Sequence, residues 1–325
     1  MAQNATSGYA SYCNYGYEAT YGSAASGTRV FGSGQKITIT RKNNMERLYG
    51  LGSRNATTAV AKKYEGSVTV EFNLANASWF RAILGTVESA AAGAAYDHTY
   101  SEANTLQSFS IVNGTEMGTL DEVSVLLGCK ANTATITASV GEIVKCRIEA
   151  MYKTETLATS SVVAQVAEDF DTYTFAQGSL QLPSGSTIGD VQSVELTINN
   201  NLEMLWGLGS RLATAGVEKA REYNLRMTVA FENTATLLHK FLGATGAPLG
   251  TSTPAAQATC LLTFTNGLTD ASERSITITL ANVYLDTETL PKDVNELTKE
   301  DVEGWALSGT SVVWTNATTS DEGDP

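Results

Sequence analysis

The chain has 325 residues, a net charge of −13, and 17% charged against 42% hydrophobic residues. That length accommodates two domains of ordinary size, and the acidic balance argues against a surface that grips nucleic acid through Lys and Arg. Few charges among abundant Thr, Ser, Gly and Ala suit thin β layers better than long surface helices, so the expected class is mainly β.

Residues 1–28 carry Tyr9, Tyr12, Tyr15, Tyr17 and Tyr21 among Gly, Ser and Ala without a structural period. They read as an arm that orders against a neighbouring subunit, with plain disorder as the alternative. Met1–Thr6 has no basic start or apolar core, and the small-residue run Ser89–Ala95 is too short to span a bilayer, so neither export nor a membrane is expected. The reading is a protein kept soluble in a cytosol-like compartment.

Ile37-Thr38-Ile39-Thr40 alternates as a strand and leads into the most informative stretch, Asn43-Asn44-Met45-Glu46-Arg47-Leu48-Tyr49-Gly50-Leu51-Gly52-Ser53-Arg54. It recurs 157 positions later as Asn200-Asn201-Leu202-Glu203-Met204-Leu205-Trp206-Gly207-Leu208-Gly209-Ser210-Arg211. A period of about half the chain predicts two tandem copies of one domain. Two glycines around a leucine predict a shaped turn, expected at a contact between subunits. No Gly-Lys-Ser/Thr follows, and Asn55 and Leu212 stand where a dinucleotide fingerprint needs its third glycine, so nucleotide binding is disfavoured.

After the first turn, Val68, Val70 and Phe72 share one strand face and Thr69 and Glu71 the other. A short helix over Ser78–Leu84 ends at Gly85. Strands follow at Phe109–Val112, Val123–Cys129, Thr133–Ala138 and Ile143–Tyr152, the last two joined by a turn at Ser139–Glu142. Residues 154–190 lose the period and read as a linker. The second copy then repeats the order: Val194, Leu196 and Ile198, the turn, Leu225–Phe231 aligned with Val68–Phe72 by a two-residue insertion, and a helix over Thr236–Leu242. Strands at Thr259–Thr265 and Ser275–Leu285, a helix-permissive acidic stretch at Leu290–Glu303 and a last strand around Gly309–Thr315 complete it. The predicted organisation is an arm (1–28), domain 1 (29–153), a linker (154–190), domain 2 (191–316) and a tail (317–325).

Catalytic, metal-ligating and cofactor-binding sets are not expected. Cys13, Cys129, Cys146 and Cys260 have no metal-ligand spacing and read as reduced core thiols. His98 falls in a small-residue loop, and His239 lies on the polar side of the second helix. Glu46 and Glu203 are expected to pair with Arg54 and Arg211 or with a neighbour.

The order of these pieces, together with Gly128-Cys129-Lys130-Ala131-Asn132 running into Thr133–Glu142, resembles the tail tube proteins of tailed viruses. The resemblance covers most of 30–155 and, less fully, 191–315, where the second unit lacks the Gly-Cys-Lys hairpin. It implies two tandem β-sandwich or barrel domains, each with one short helix, and stacked rings whose inner strands close into a channel for DNA. The partners it implies are further copies of the chain, three per ring with ring-on-ring stacking, a tape-measure protein and later DNA in the lumen, and a sheath if the tail contracts. The location is a virion tail assembled in the host cytoplasm. The inner tube of a contractile injection system shares this pattern, and a surface-layer or capsid-decoration protein shares the composition. Under the tube reading the turn residues Gly50–Arg54 and Gly207–Arg211 make subunit contacts. Thr38, Thr40, Thr69, Glu71, Glu195, Thr197, Thr277 and Thr279 line a negative lumen, and Lys145, Arg147 and Arg226 on polar faces count against that charge.

Overall fold

The computed structural model describes residues 11–25, 29–115, 122–158, 171–231, 257–270, 272–294, 297–319 and 321. Nineteen strands, one short α-helix and one 3-10 turn at Phe175–Gln177 are described. The first half holds β1 (Ser11–Tyr17), β2 (Ser33–Lys42), β3 (Met45–Tyr49), β4 (Ala56–Ala61), β5 (Glu65–Asn73), helix α1 (Phe80–Leu84), β6 (Gly85–Ala92), β7 (Ala95–Glu102), β8 (Phe109–Thr115), β9 (Glu122–Ser139) and β10 (Lys145–Tyr152). Then come β11 (Thr154–Ala158), β12 (Gly178–Gln181), β13 (Val191–Asn199), β14 (Glu203–Trp206), β15 (Ala213–Val217), β16 (Glu222–Ala230), β17 (Gln257–Thr265), β18 (Ser275–Thr289) and β19 (Lys299–Asn316). The fold is mainly β, as expected. The expected helix at Thr236–Leu242, with His239, lies outside the described residues.

One antiparallel sheet runs β12-β17-β18-β19-β16-β13-β9-β10-β5-β2. Within it one succession of pairings occurs twice, β8-β9-β10-β5-β2 and β17-β18-β19-β16-β13. The halves join where β9 pairs with β13 and where β7 pairs with the end of β19. Alternation explains the wall they form: apolar side chains at every second position bury one face, and the intervening polar residues face solvent. Val68, Val70, Phe72, Ile136, Ile148, Leu196, Leu225 and Met227 belong to one core together with α1, where Trp79 stacks on Phe80 at 3.9 Å and meets Phe72 edge-on. Gly85, with φ +125, ends the helix as expected.

Strand register corrects the alignment of the copies. Val70 stands opposite Ile37 as Met227 stands opposite Val194, so the offset of 157 continues through β5 and β16. Phe72 corresponds to Val229, and the two-residue insertion does not exist there. Matching phenylalanine to phenylalanine misled, because pairing fixes which face a residue occupies and identity does not.

Other expectations change for the same non-local reason. In the arm, β1 pairs along its whole length with β8 of the same chain, and Tyr15 is fully buried, stacked on Phe31 and hydrogen-bonded to Ser78 Oγ. Just beyond, the buried Glu18 carboxylate accepts bonds from the Gly22 and Gly128 N–H groups and from the Ser108 and Ser110 hydroxyls. The strands expected at Val123–Cys129 and Thr133–Ala138 are one, β9, whose first part pairs with β8 and β11 and whose last part pairs with β10 and β13. The run Ser89–Ala95 belongs to the hairpin β6–β7. His98 is therefore a buried strand residue, with Nδ1 at 2.7 Å from Ser89 Oγ and Nε2 at 3.2 Å from Asn316 Oδ1. The stretch Leu290–Glu303 contributes no helix among its described residues. Its end opens β19, where Val302 and Ala306 pair with β16 and tertiary pairing overrides helix propensity. All four cysteines are free and buried, and burial pushes the Cys13 thiol up to about 12.

At one place the two halves solve the same packing problem in opposite ways. Gly66 faces Tyr152, whereas at the corresponding positions Tyr223 faces Ala306. A Cβ on Gly66 would come within 2.3 Å of the Tyr152 ring. Gly66→Ala should therefore cost on the order of 1–3 kcal/mol through overpacking. Denaturant unfolding checks this; an unchanged midpoint would show that the ring moves aside freely.

Candidate assembly and channel surfaces

The repeated stretch forms two hairpins that stand off the sheet, β3–β4 and β14–β15. They match closely. Asn44 and Asn201 both take φ +48, a left-handed conformation asparagine tolerates, and their side-chain amides donate to Lys63 O and Ala220 O. Each hairpin carries an irregularity just before its aromatic, between Leu48 and Tyr49 and between Leu205 and Trp206. Gly52 and Gly209 turn the chain at φ +83 and +91, and the Ser53 and Ser210 hydroxyls accept the N–H groups of Asn55 and Leu212. Thr57 and Thr214 close both turns onto Leu48 O and Leu205 O.

The carboxylates differ from expectation. Glu46 pairs with Lys62, and Glu203 with Lys219 at 2.6 Å, rather than with Arg54 and Arg211. Glu46 lies opposite Val60 and Glu203 opposite Val217, so each lysine is a diagonal neighbour across the hairpin while the arginines sit beyond the turn. The Lys219 hydrogen bond holds the Glu203 carboxyl below its ordinary range. Lys62 and Lys219 obey the same 157-residue offset, and that signal would have identified the pairs.

What separates the twins is their surroundings. Arg211, leaving the second turn, donates from Nε to Lys62 O (2.6 Å) and from Nη2 to Asn43 Oδ1 (2.8 Å), while its carbonyl accepts the Tyr64 N–H. Trp206 Nε1 donates to Tyr64 O, and Lys63 Nζ lies 4.3 Å above the indole. Hairpin β14–β15 thus seats on the base of hairpin β3–β4. The first hairpin has no such seat: among the described residues Arg54 makes no hydrogen bond or ion pair. Met45 is 59% exposed where its counterpart Leu202 is 7% exposed. Leu51, Gly52 and Ser53 are exposed at the first tip beside a half-buried Gly50, and Gly207, Leu208, Gly209 and Ser210 are exposed at the second.

The polar face of the sheet gathers most of the predicted wall residues. Thr38 stands opposite Thr69, Thr40 opposite Ser67, and Thr197 opposite Thr135. One row crosses five strands, Lys36, Glu71, Arg147, Thr135 and Thr197; another runs Lys145, Thr137, Glu195, Arg226 and Glu303. Cations and carboxylates interleave: Lys36 pairs with Glu71 at 3.0 Å, Arg147 with Glu149 at 2.5 Å, Arg226 with Glu303 at 2.7 Å and Lys145 with Glu142 at 2.7 Å. The Lys36 hydrogen bond holds the Glu71 carboxyl below its ordinary range. Thr277 and Thr279 are not in these rows. They lie on the part of β18 that pairs with β17, before the register shift between Thr279 and Ala281. A wall of hydroxyls and internally neutralised cations offers a polyanion little to hold, since salt-sensitive affinity for phosphate grows with each uncompensated Lys or Arg.

The asymmetry between hairpins makes a direct prediction. Arg211→Ala should destabilise the isolated chain by about 1 kcal/mol through its lost hydrogen bonds, while Arg54→Ala leaves its melting temperature unchanged. Equal effects in thermal unfolding would contradict the seating.

The family described as phage tail tube protein matches residues 8–312. No curated protein matches the chain.

Proposed function

The chain belongs to the phage tail tube protein family, and we propose that its subunits close into rings whose inner wall is the polar face of this sheet. It is a structural component of the virion tail that self-assembles into a tube. In our reading the rings stack around a lumen that holds the tape-measure protein and later conducts DNA without sequence-specific binding, and assembly takes place in the host cytoplasm. The observation that carries this is the unbroken polar face, which crosses from β2 through the β9–β13 join to β18.

The repeated succession of pairings supports three chains per ring. Each half offers four wall strands, β2-β5-β10-β9 and β13-β16-β19-β18. One chain closed on itself would make a barrel about 16 Å across between backbones, which side chains fill. Three chains give about 24 strands and a diameter of about 45–50 Å, room for a hydrated duplex. Six whole chains would double that.

Electron microscopy of the purified protein should show rings or tubes, and native mass spectrometry should find three chains per ring. Six chains per ring would overturn the trimer, and a monodisperse monomer the tube. Glu71→Lys with Glu195→Lys should leave rings intact but slow DNA release from tails built with the variant; unchanged release would remove the wall from this face.

A further inference from the structure

Resting on the tube reading, the join inside one chain serves as a template for the join between chains. Within the chain, the end of β9 pairs with β13: Ala134 opposite Ile198, Thr135 opposite Thr197. The succession of pairings identifies the counterparts of these strands. Ala134 faces Ile148, which faces Val70; Glu288 faces Val302, which faces Met227. Val70 and Met227 correspond, so Glu288 is the counterpart of Ala134, and Thr289 that of Thr135. By the 157-residue offset, Arg41 and Thr40 are the counterparts of Ile198 and Thr197.

Both counterpart edges are open among the described residues. β2 pairs only with β5, and β18 pairs with β17 no further than Val283, leaving one edge of 284–289 without a partner. Ile37 and Ile39 on β2 are half-buried where Val194 and Leu196 on β13 are buried. Glu288 Oε1 is enclosed without a hydrogen-bond partner. Arg41 is gripped by Glu155 through Nε (2.6 Å) and Nη2 (2.5 Å) and touches Ser124, yet its side chain stays 46% exposed.

We propose that β2 receives the 284–289 end of β18 from a second copy of this chain, in the register β9 uses toward β13. Arg41 then comes opposite the partner subunit's Glu288, so that an ion pair stands between chains where an apolar pair stands within one. The first hairpin swings onto that second copy as β14–β15 seats on the first half. Arg54 meets the backbone of the partner's Lys219, the counterpart of Lys62. Charge fixes the direction: β2 is basic at Lys36, Arg41 and Lys42, and the end of β18 is acidic at Asp286 and Glu288. Two β2 edges or two β18 edges would set like charges together, so only head-to-tail closure is favoured.

Thr135 and Thr197 hydroxyl oxygens lie 3.3 Å apart inside the chain. Thr40→Cys with Thr289→Cys, oxidised in assembled tubes, should therefore give an interchain disulfide. On denaturing gels the covalent ladder should end at three chains, while Thr38→Cys with Thr289→Cys should give none. The native cysteines are buried and stay out of the reaction. Tubes that form without the 40–289 crosslink, or that crosslink only in the 38–289 pair, would overturn the seam and leave the tube standing. Failure of the unsubstituted chain to assemble would overturn both. Independently, Glu288→Arg should block ring closure and Arg41→Glu added to it should restore closure, with circular dichroism checking that both variants fold. A folded double variant that stays unassembled would overturn the charge pairing.

Discussion

An antiparallel sheet cannot stop without leaving a row of backbone N–H and C=O groups unpaired, and this fold is arranged around where those rows end. Between the two repeated successions of strands the problem is solved where β13 covers the last part of β9. It reappears at β2, a ten-residue strand with a single neighbour among the described residues. A strand of that length with a free edge and half-covered isoleucines is an invitation to pair. A protein that left it free would risk disordered aggregation, and one that pairs it with its own kind becomes a ring.

Strand alternation connects this constraint to the channel. The same residues that put Val68, Val70 and Phe72 into the core put Thr69 and Glu71 on the opposite surface. The wall therefore requires no separate design: a curved sheet with its helix layer on one side must show the other face to whatever it encloses. Pairing Lys36, Lys145, Arg147 and Arg226 with carboxylates removes most of their pull on phosphate while keeping the surface hydrated. Exposed ion pairs of this kind add little stability. In the proposed ring most of the gain would come instead from covering Ile37, Ile39, Met45 and Tyr49, roughly 1 kcal/mol each at 25 cal/mol per Å².

Local patterns were legible in the sequence and distant partners were not. Alternation located β5, β10 and β13, glycine marked the end of α1, and the doubled turn announced two matching hairpins. β1 and β7 escaped: β1 pairs only with the distant β8, and β7 lies between its hairpin partner β6, an Ala-rich run without a period, and β19 far along the chain. Neither Tyr-rich Ser11–Tyr17 nor the Ala-rich stretch before His98 carries a period that would reveal this. Glu46 was given the wrong cation because proximity to the turn was taken for proximity in space, and a hairpin diagonal is closer. The polar-face positions on β2, β5 and β13 followed from alternation alone. Thr277 and Thr279 did not join them, since the irregularity in β18 separates its ends and nothing in Ser275–Leu285 signals it.

In the proposed tube the polar face of one continuous sheet surrounds the bore. A helical reconstruction of assembled tubes by electron cryomicroscopy tests it most directly. Thr69, Glu71, Glu195 and Thr197 should lie nearest the axis, with Trp79 and α1 outside the strands. A reconstruction with α1 lining the channel, or with the sheet interrupted at β2, would contradict it.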